Sequence, residues 1–206
     1  MKIISHRGYW KTMDERNTRA AFIRSFANGF GTETDVRDIC GRIVISHDMP
    51  RGDEISFEEV LQIMDGRNLP LAINIKADGQ IHLLMQLLKK YNHTNYFTFD
   101  MSIPDMVVQL ASGARVFTGQ SDLVPVPVLL EDCAGIWLDS FRSEWFGPSL
   151  VDDIIDNGKN VCIVSADLHK RDVSEQWKKI LQCKNIESNA LILCTDMPDK
   201  AVEYFL

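Results

Sequence analysis

What most constrains the fold of this chain is a recurrence. A short apolar run is followed by an amphipathic stretch, again and again along the sequence. The runs are Ile3-Ile4-Ser5, Thr32-Glu33-Thr34-Asp35-Val36, Ile43-Val44-Ile45-Ser46, Leu71-Ala72-Ile73-Asn74-Ile75, Tyr96-Phe97-Thr98-Phe99, Arg115-Val116-Phe117-Thr118, Gly135-Ile136-Trp137-Leu138, Val161-Cys162-Ile163-Val164 and Leu191-Ile192-Leu193-Cys194. Runs this short and β-branched suit strands buried on both faces, and such strands need helices packed against them. One gap differs. Only Arg37 to Arg42 separates Val36 from Ile43, too little for a crossover helix, and Cys40-Gly41 suits a tight turn, so this pair reads as antiparallel. Nine runs less one hairpin strand leave eight strand–helix units. The count predicts an α/β fold, a (β/α)8 TIM barrel with an extra hairpin strand after strand 2, formed as a single domain over residues 1–206. The chain is short for such a barrel, and a doubly wound open sheet is the alternative.

The intervening stretches carry helix signals. Asn17 or Thr18 can cap a helix that lays Ala21, Phe22, Phe26 and Phe30 on one face and ends near Gly29. Ser56-Phe57-Glu58-Glu59 has the spacing of a capping box. Ile81 to Tyr91, Pro104 to Leu110, Leu150 to Asn157, Val173 to Leu181 and Pro198 to Phe205 are the later candidates.

Composition narrows the function. A net charge of −7 with no basic tract argues against nucleic acid, whose phosphates demand a positive surface. No apolar run approaches the roughly 20 residues of a membrane span, and the polar turn after Ile4 leaves no signal-peptide core. Five cysteines without close pairing suit a reducing compartment, so a cytoplasmic location is expected.

In a barrel of this kind, polar residues at the C-terminal strand ends form the site. Here those positions hold His6-Arg7-Gly8, then Glu33 and Asp35 two residues apart on one face, then Asn74 and Lys76, then Asp100. A turn at Cys40-Gly41 sets Asp35 opposite Ser46 and Thr34 opposite His47, which returns His47-Asp48 beside the two carboxylates. Each piece alone has a plainer reading: a satisfied loop, a solvated edge, a surface lysine. Trp10, Trp145 and Phe146 read as loop or core packing. Inward carboxylates on a buried strand, however, are costly unless a cation or donor meets them.

Taken together, these motifs resemble the glycerophosphodiester phosphodiesterase family. The matching segments are His6-Arg7-Gly8, Asn17-Thr18 with Ala21-Phe22, Glu33-Thr34-Asp35-Val36, Val44 to Asp48, Leu71 to Lys76, and Thr195-Asp196-Met197-Pro198. The resemblance implies a barrel that cleaves a small phosphodiester. His6 and His47 would be its acid/base pair, and Arg7 and Lys76 would bind the phosphoryl group. A divalent cation, Mg²⁺ or Ca²⁺, would sit on Glu33, Asp35 and Asn74. The chain departs from the family in three places. Asn74 stands where the family has a third carboxylate, Glu15-Arg16 replace a Pro-Glu, and the segment from Asp48 to Leu71 lacks the usual inserted subdomain. Three rivals stand beside this reading: a phosphate-binding barrel with impaired catalysis, a lyase-type phospholipase relative, and a sugar-phosphate isomerase. No glycine-rich loop follows Val164 or Cys194, which disfavours the last.

Overall fold

Alternation of buried strand and amphipathic helix is what the computed structural model contains, and it describes residues 1–206. The strands are β1 (Lys2–His6), β2 (Gly31–Ile39), β3 (Arg42–Ile45), β4 (Leu71–Ile75), β5 (Tyr96–Phe99), β6 (Phe117–Gln120), β7 (Gly135–Leu138), β8 (Asn160–Val164) and β9 (Leu191–Thr195). The helices are α1 (Arg19–Ala27), α2 (Phe57–Met64), α3 (Ile81–Lys90), α4 (Ile103–Ala111), α5 (Pro148–Asp156), α6 (Ser174–Ile180) and α7 (Pro198–Phe205). Eight strands follow the order β5-β4-β2-β1-β9-β8-β7-β6, and β3 pairs only with β2. A parallel bridge from Thr98 to Val116 links β5 to the residue preceding β6. This is the (β/α)8 barrel order with the extra hairpin strand, as expected from the sequence, and the open-sheet alternative is set aside. The sixth strand lies slightly later than expected, beginning at Phe117 rather than Arg115. The link from β6 to β7 has no α-helix: Pro125 and Pro127 alternate with valines there, and proline in a helix interior removes a hydrogen bond and clashes with the preceding turn.

Two compact units make up the chain, one of Ser5–Val116 and one of Met1–Ile4 with Phe117–Leu206. In the first, Phe22, Phe26, Phe57, Leu61, Leu71, Ile73 and Leu84 are fully buried. Each such side chain contributes roughly 1.5–3 kcal/mol by leaving water. The helix termini are set by the residues that signalled them. Thr18 caps α1 and accepts from the Ala21 amide. Ser56 and Glu59 form a reciprocal capping box that starts α2. Ser102 caps α4, which begins at Ile103, one residue before the expected start, because Pro104 is tolerated in the first turn. In the second unit, Ile136, Leu138, Val161, Ile163, Trp177 and Leu193 form the core.

The β2–β3 hairpin positions the candidate site. Cys40 and Gly41 both adopt positive φ, +48° and +76°, the two-residue turn whose twist matches its strands. The register Ile39↔Arg42 to Val36↔Ile45 follows, and the Ser46 amide donates to the Asp35 carbonyl at 3.1 Å. On its other edge β3 also bonds the residues just before α2. The Ile45 amide donates to the Ile55 carbonyl at 2.9 Å, and Val44 bridges Ser56. The chain between, residues 46–54, is an excursion clasped at its base and leads directly into the Ser56 cap of α2.

Candidate functional site

The site is built within the Ser5–Val116 unit, at the ends of β1, β2 and β4. After His6 the backbone turns sharply, with Arg7 at φ +59° and Gly8 at +80°. The turn is pinned on three sides. The Arg7 amide donates to the Glu33 carbonyl and the Asn17 amide to the Arg7 carbonyl, each at 2.9 Å. The Gly8 amide donates to Thr32 Oγ1 at 2.9 Å. A Cβ on Gly8 would stand 2.7 Å from the Ala21 Cβ and 2.9 Å from the Ala21 carbonyl carbon. Only glycine lets the His-Arg-Gly turn pack this closely on α1.

Glu33 and Asp35 face the same side of β2 and are 2% and 0% exposed, too deep for water to compensate their charge. Parallel register sets Asp35 directly beside Asn74 on β4. Arg7 Nε lies 2.8 Å from Asp35 Oδ2, an ion pair without hydrogen-bond geometry. Lys76 Nζ lies 3.5 Å from Asp35 Oδ1, and His6 Nε2 lies 3.8 Å from Glu33 Oε2. Burial holds the Glu33 carboxyl well above its ordinary range, and the neighbouring Asp35 charge adds to this; Arg7 and Lys76 offset only part of it.

Three buried oxygens in this cluster accept no hydrogen bond: Glu33 Oε2, Asp35 Oδ1 and Asn74 Oδ1. The amide of Asn74 is oriented so that its nitrogen donates to Asp100 Oδ2 at 3.2 Å, which leaves the carbonyl oxygen for something else. Two carboxylates and one amide carbonyl on adjacent strands fit a hard divalent cation, which prefers oxygen ligands. No group of three His, Cys, Asp or Glu side chains that could hold a metal ion converges here or elsewhere.

The structure therefore brings His6, Arg7, Glu33, Asp35, Asn74 and Lys76 into one cluster. His47 is placed differently from the register expectation. It lies beyond β3 rather than opposite Thr34: the ladder with β2 ends with the Ser46 amide on the Asp35 carbonyl, and the Ser46 hydroxyl then closes a turn onto the Asp48 carbonyl. The His47 ring is half exposed, and its Nδ1 lies 2.9 Å from Asp48 Oδ1. Hydrogen bonding to His47 holds the Asp48 carboxyl below its ordinary range. His47 and Arg7 line a common cavity of about 610 Å³. Thr34 Oγ1 instead donates to Asn17 Oδ1, while Asn17 Nδ2 donates to Asp35 Oδ2, each at 2.9 Å. Asn17 thus belongs to the cluster, where sequence reasoning offered it as a helix cap and as part of the Asn17-Thr18 motif. Its positive φ of +58°, a conformation asparagine tolerates, lets it reach back into the cluster.

A (β/α)8 barrel with paired buried carboxylates, an arginine and a lysine at its strand ends is the class of site and fold on view. No protein-family model matches the chain, and no curated protein matches it. Solved structures share the fold over nearly its whole length. A glycerophosphodiester phosphodiesterase from Agrobacterium tumefaciens str. C58 is 17% identical at TM-score 0.72, covering 99% of this chain and 98% of its own. An Oleispira antarctica phosphodiesterase in complex with the product sn-glycerol-3-phosphate is 17% identical at TM-score 0.70, covering 99% and 96%. A glycerophosphoryl diester phosphodiesterase from Parabacteroides distasonis ATCC 8503 is 14% identical at TM-score 0.62, covering 98% and 85%. The likeness establishes the fold, and these neighbours are the kind of protein the sequence motifs resemble.

Proposed function

We propose that this chain is a phosphoric diester hydrolase acting on a glycerophosphodiester or a related small phosphodiester. The observation that carries the reading is the set of three buried acceptor oxygens, on Glu33, Asp35 and Asn74, left without hydrogen bonds beside Arg7 and Lys76. Acceptors without donors call for a cation, and cations flanked by arginine and lysine suit a phosphoryl group. The product bound to the Oleispira antarctica neighbour, sn-glycerol-3-phosphate, is a phosphomonoester of the kind that cleavage of a glycerophosphodiester releases.

Glu33, Asp35 and Asn74 would hold Mg²⁺ or Ca²⁺. When bound, the cation supplies charge neutralisation for an anionic substrate that otherwise repels its nucleophile. Arg7 presents a planar fork to two phosphoryl oxygens, and Lys76 meets another as a point charge. Both side chains already lie against Asp35, so they are positioned before substrate arrives. Hydrolysis forms one P–O bond and breaks another. One of His6 and His47 accepts the proton of the attacking hydroxyl, and the other delivers a proton to the departing alkoxide. With His47 Nδ1 on Asp48, its Nε2 is the ring nitrogen left for this exchange. A hydroxyl of the substrate itself, attacking first to give a cyclic phosphate, would use the same two histidines.

The deciding experiment is a phosphodiester panel assayed with Mg²⁺, with Ca²⁺ and with chelator. Cation-dependent release of a phosphomonoester is expected. Turnover indifferent to chelator would remove the cation from the reading, and failure to cleave any diester while phosphate still binds would favour a binding barrel.

A further inference from the structure

Resting on that reading of the site, we infer that Asp100 is a positioning residue: by holding the amide nitrogen of Asn74 it keeps the Asn74 carbonyl as the end offered to the cation. An amide is an ambiguous ligand. Its oxygen can bind a hard cation, its nitrogen cannot, and half a turn of the side-chain terminus exchanges the two. A carboxylate presents oxygen either way up. Asparagine beside Glu33 and Asp35 therefore serves as a ligand only where something fixes which end is offered. Asn74 is 7% exposed, so solvent does not do it.

The bond to Asp100 is the one hydrogen bond that the Asn74 side chain makes, from Nδ2 to Oδ2 at 3.2 Å, and it leaves Oδ1 without a donor. The chemistry of the partner decides the orientation. An ionised carboxylate only accepts, so it takes the NH2 end of the amide and repels the carbonyl end. The fold delivers that carboxylate to the right place. Parallel register sets Asn74 beside Phe99, the last residue of β5, and Asp100 follows at φ +62°. Aspartate enters this left-handed conformation more readily than most side chains. Asp100 itself is exposed, so its side chain is not needed to fill the core. Its charge is nevertheless felt in the cluster. Burial and the Asp35 charge do most to hold the Glu33 carboxyl up, Arg7 and Lys76 oppose them, and Asp100 adds to the rise. Three carboxylates thus serve this cluster, Glu33 and Asp35 directly and Asp100 through the amide of Asn74.

The test is a double-mutant cycle read by calorimetric titration with Mg²⁺ and with Ca²⁺. Asp100→Asn keeps the size and suits the same φ, but an amide can accept or donate, so it no longer dictates which end of Asn74 it meets. In the otherwise wild-type chain it should weaken cation binding about 10–100-fold, the usual effect of removing a group that orients a metal ligand. Asn74→Asp makes the ligand the same either way up. In that background Asp100→Asn should cost no more than about twofold in cation affinity. Should Asn74→Asp not fold, Asn74→Glu supplies the same symmetric ligand. Should Asp100→Asn not fold, Asp100→Gly accepts the positive φ and removes the acceptor outright. Cation affinity unchanged in Asp100→Asn, with or without a lower melting temperature in chelator, overturns the inference while leaving the phosphodiesterase reading intact. So does a loss as large in the Asn74→Asp background as in the wild-type one, since Asp100 would then act by its charge alone. Absence of cation binding by the wild-type chain removes the cation from the reading itself, and the inference falls with it.

Discussion

Gly8→Ala isolates the packing on which the His-Arg-Gly turn depends. Two costs combine. A side chain at φ +80° is strained by about 1–2 kcal/mol relative to glycine. The added methyl would also meet the Ala21 Cβ at 2.7 Å and its carbonyl carbon at 2.9 Å, and both belong to helix backbone or to a fully buried methyl, not to a flexible tip. Overpacking of this kind costs about 1–3 kcal/mol more. Gly29→Ala supplies the control: its φ of +77° is nearly the same, and nothing lies within 4 Å of the added carbon. Urea denaturation of the two variants should therefore give losses of about 2–5 kcal/mol for Gly8→Ala and about 1–2 kcal/mol for Gly29→Ala. Arg7 and His6 should shift with the turn, so turnover per folded molecule should fall in the first variant and hold in the second. Equal destabilisation of the two would refute the claim that contact with α1 fixes the turn.

Four further outcomes are expected. Glu33→Gln should raise the melting temperature of chelated protein, because burial and Asp35 penalise the ionised carboxyl, and should abolish any stabilisation by added Mg²⁺ or Ca²⁺; calorimetric titration reads the second effect directly. Asn74→Glu adds a charge beside Asp35 and should tighten cation binding, at the cost of a lower melting temperature in chelator. Alanine at His6 or at His47 should lower kcat by about 10²–10⁴-fold with the circular-dichroism melt little changed, and loss of stability with turnover within a few-fold would reject their acid/base role. His93 is buried and held below its ordinary range by that burial, with the Asn95 carbonyl opposing. The unfolded chain then binds its proton first, so stability should decline as pH falls below about 6.5, and His93→Gln should flatten that decline in urea titrations between pH 5 and 7.

The barrel was legible because its strands are buried on both faces and so leave unbroken apolar runs, and because the Cys40-Gly41 turn is too short to be anything but a hairpin. Glu33, Asp35 and Asn74 were legible for a related reason: carboxylates and amides inside such runs are costly to bury without partners, and the spacing of Glu33 and Asp35 puts both on one face. The place of His47 was not. Register arithmetic holds through Ser46, but the chain then leaves the ladder in a turn closed by the Ser46 hydroxyl on the Asp48 carbonyl, and nothing in the strand pattern announces that exit. Asp100 and Asn17 likewise act across strands or loops, so their hydrogen bonds to Asn74 and Asp35 appear only once the chain is folded.

The clasp between Ile45 and Ile55 has a consequence for how this protein can change. His47, Asp48, Met49, Arg51, Asp53 and Glu54 all contribute to the cavity wall, and all lie between the two ends of that clasp. Backbone hydrogen bonds at its base, the Ser46 hydroxyl on the Asp48 carbonyl and the Glu54 carboxylate on the Arg51 and Gly52 amides secure the segment, and none of them uses Met49 or Asp53. Within that clasp, Met49, Arg51 and Asp53 can be rewritten to retune what the cavity accepts without disturbing His47, the carboxylates on β2 or the cap of α2.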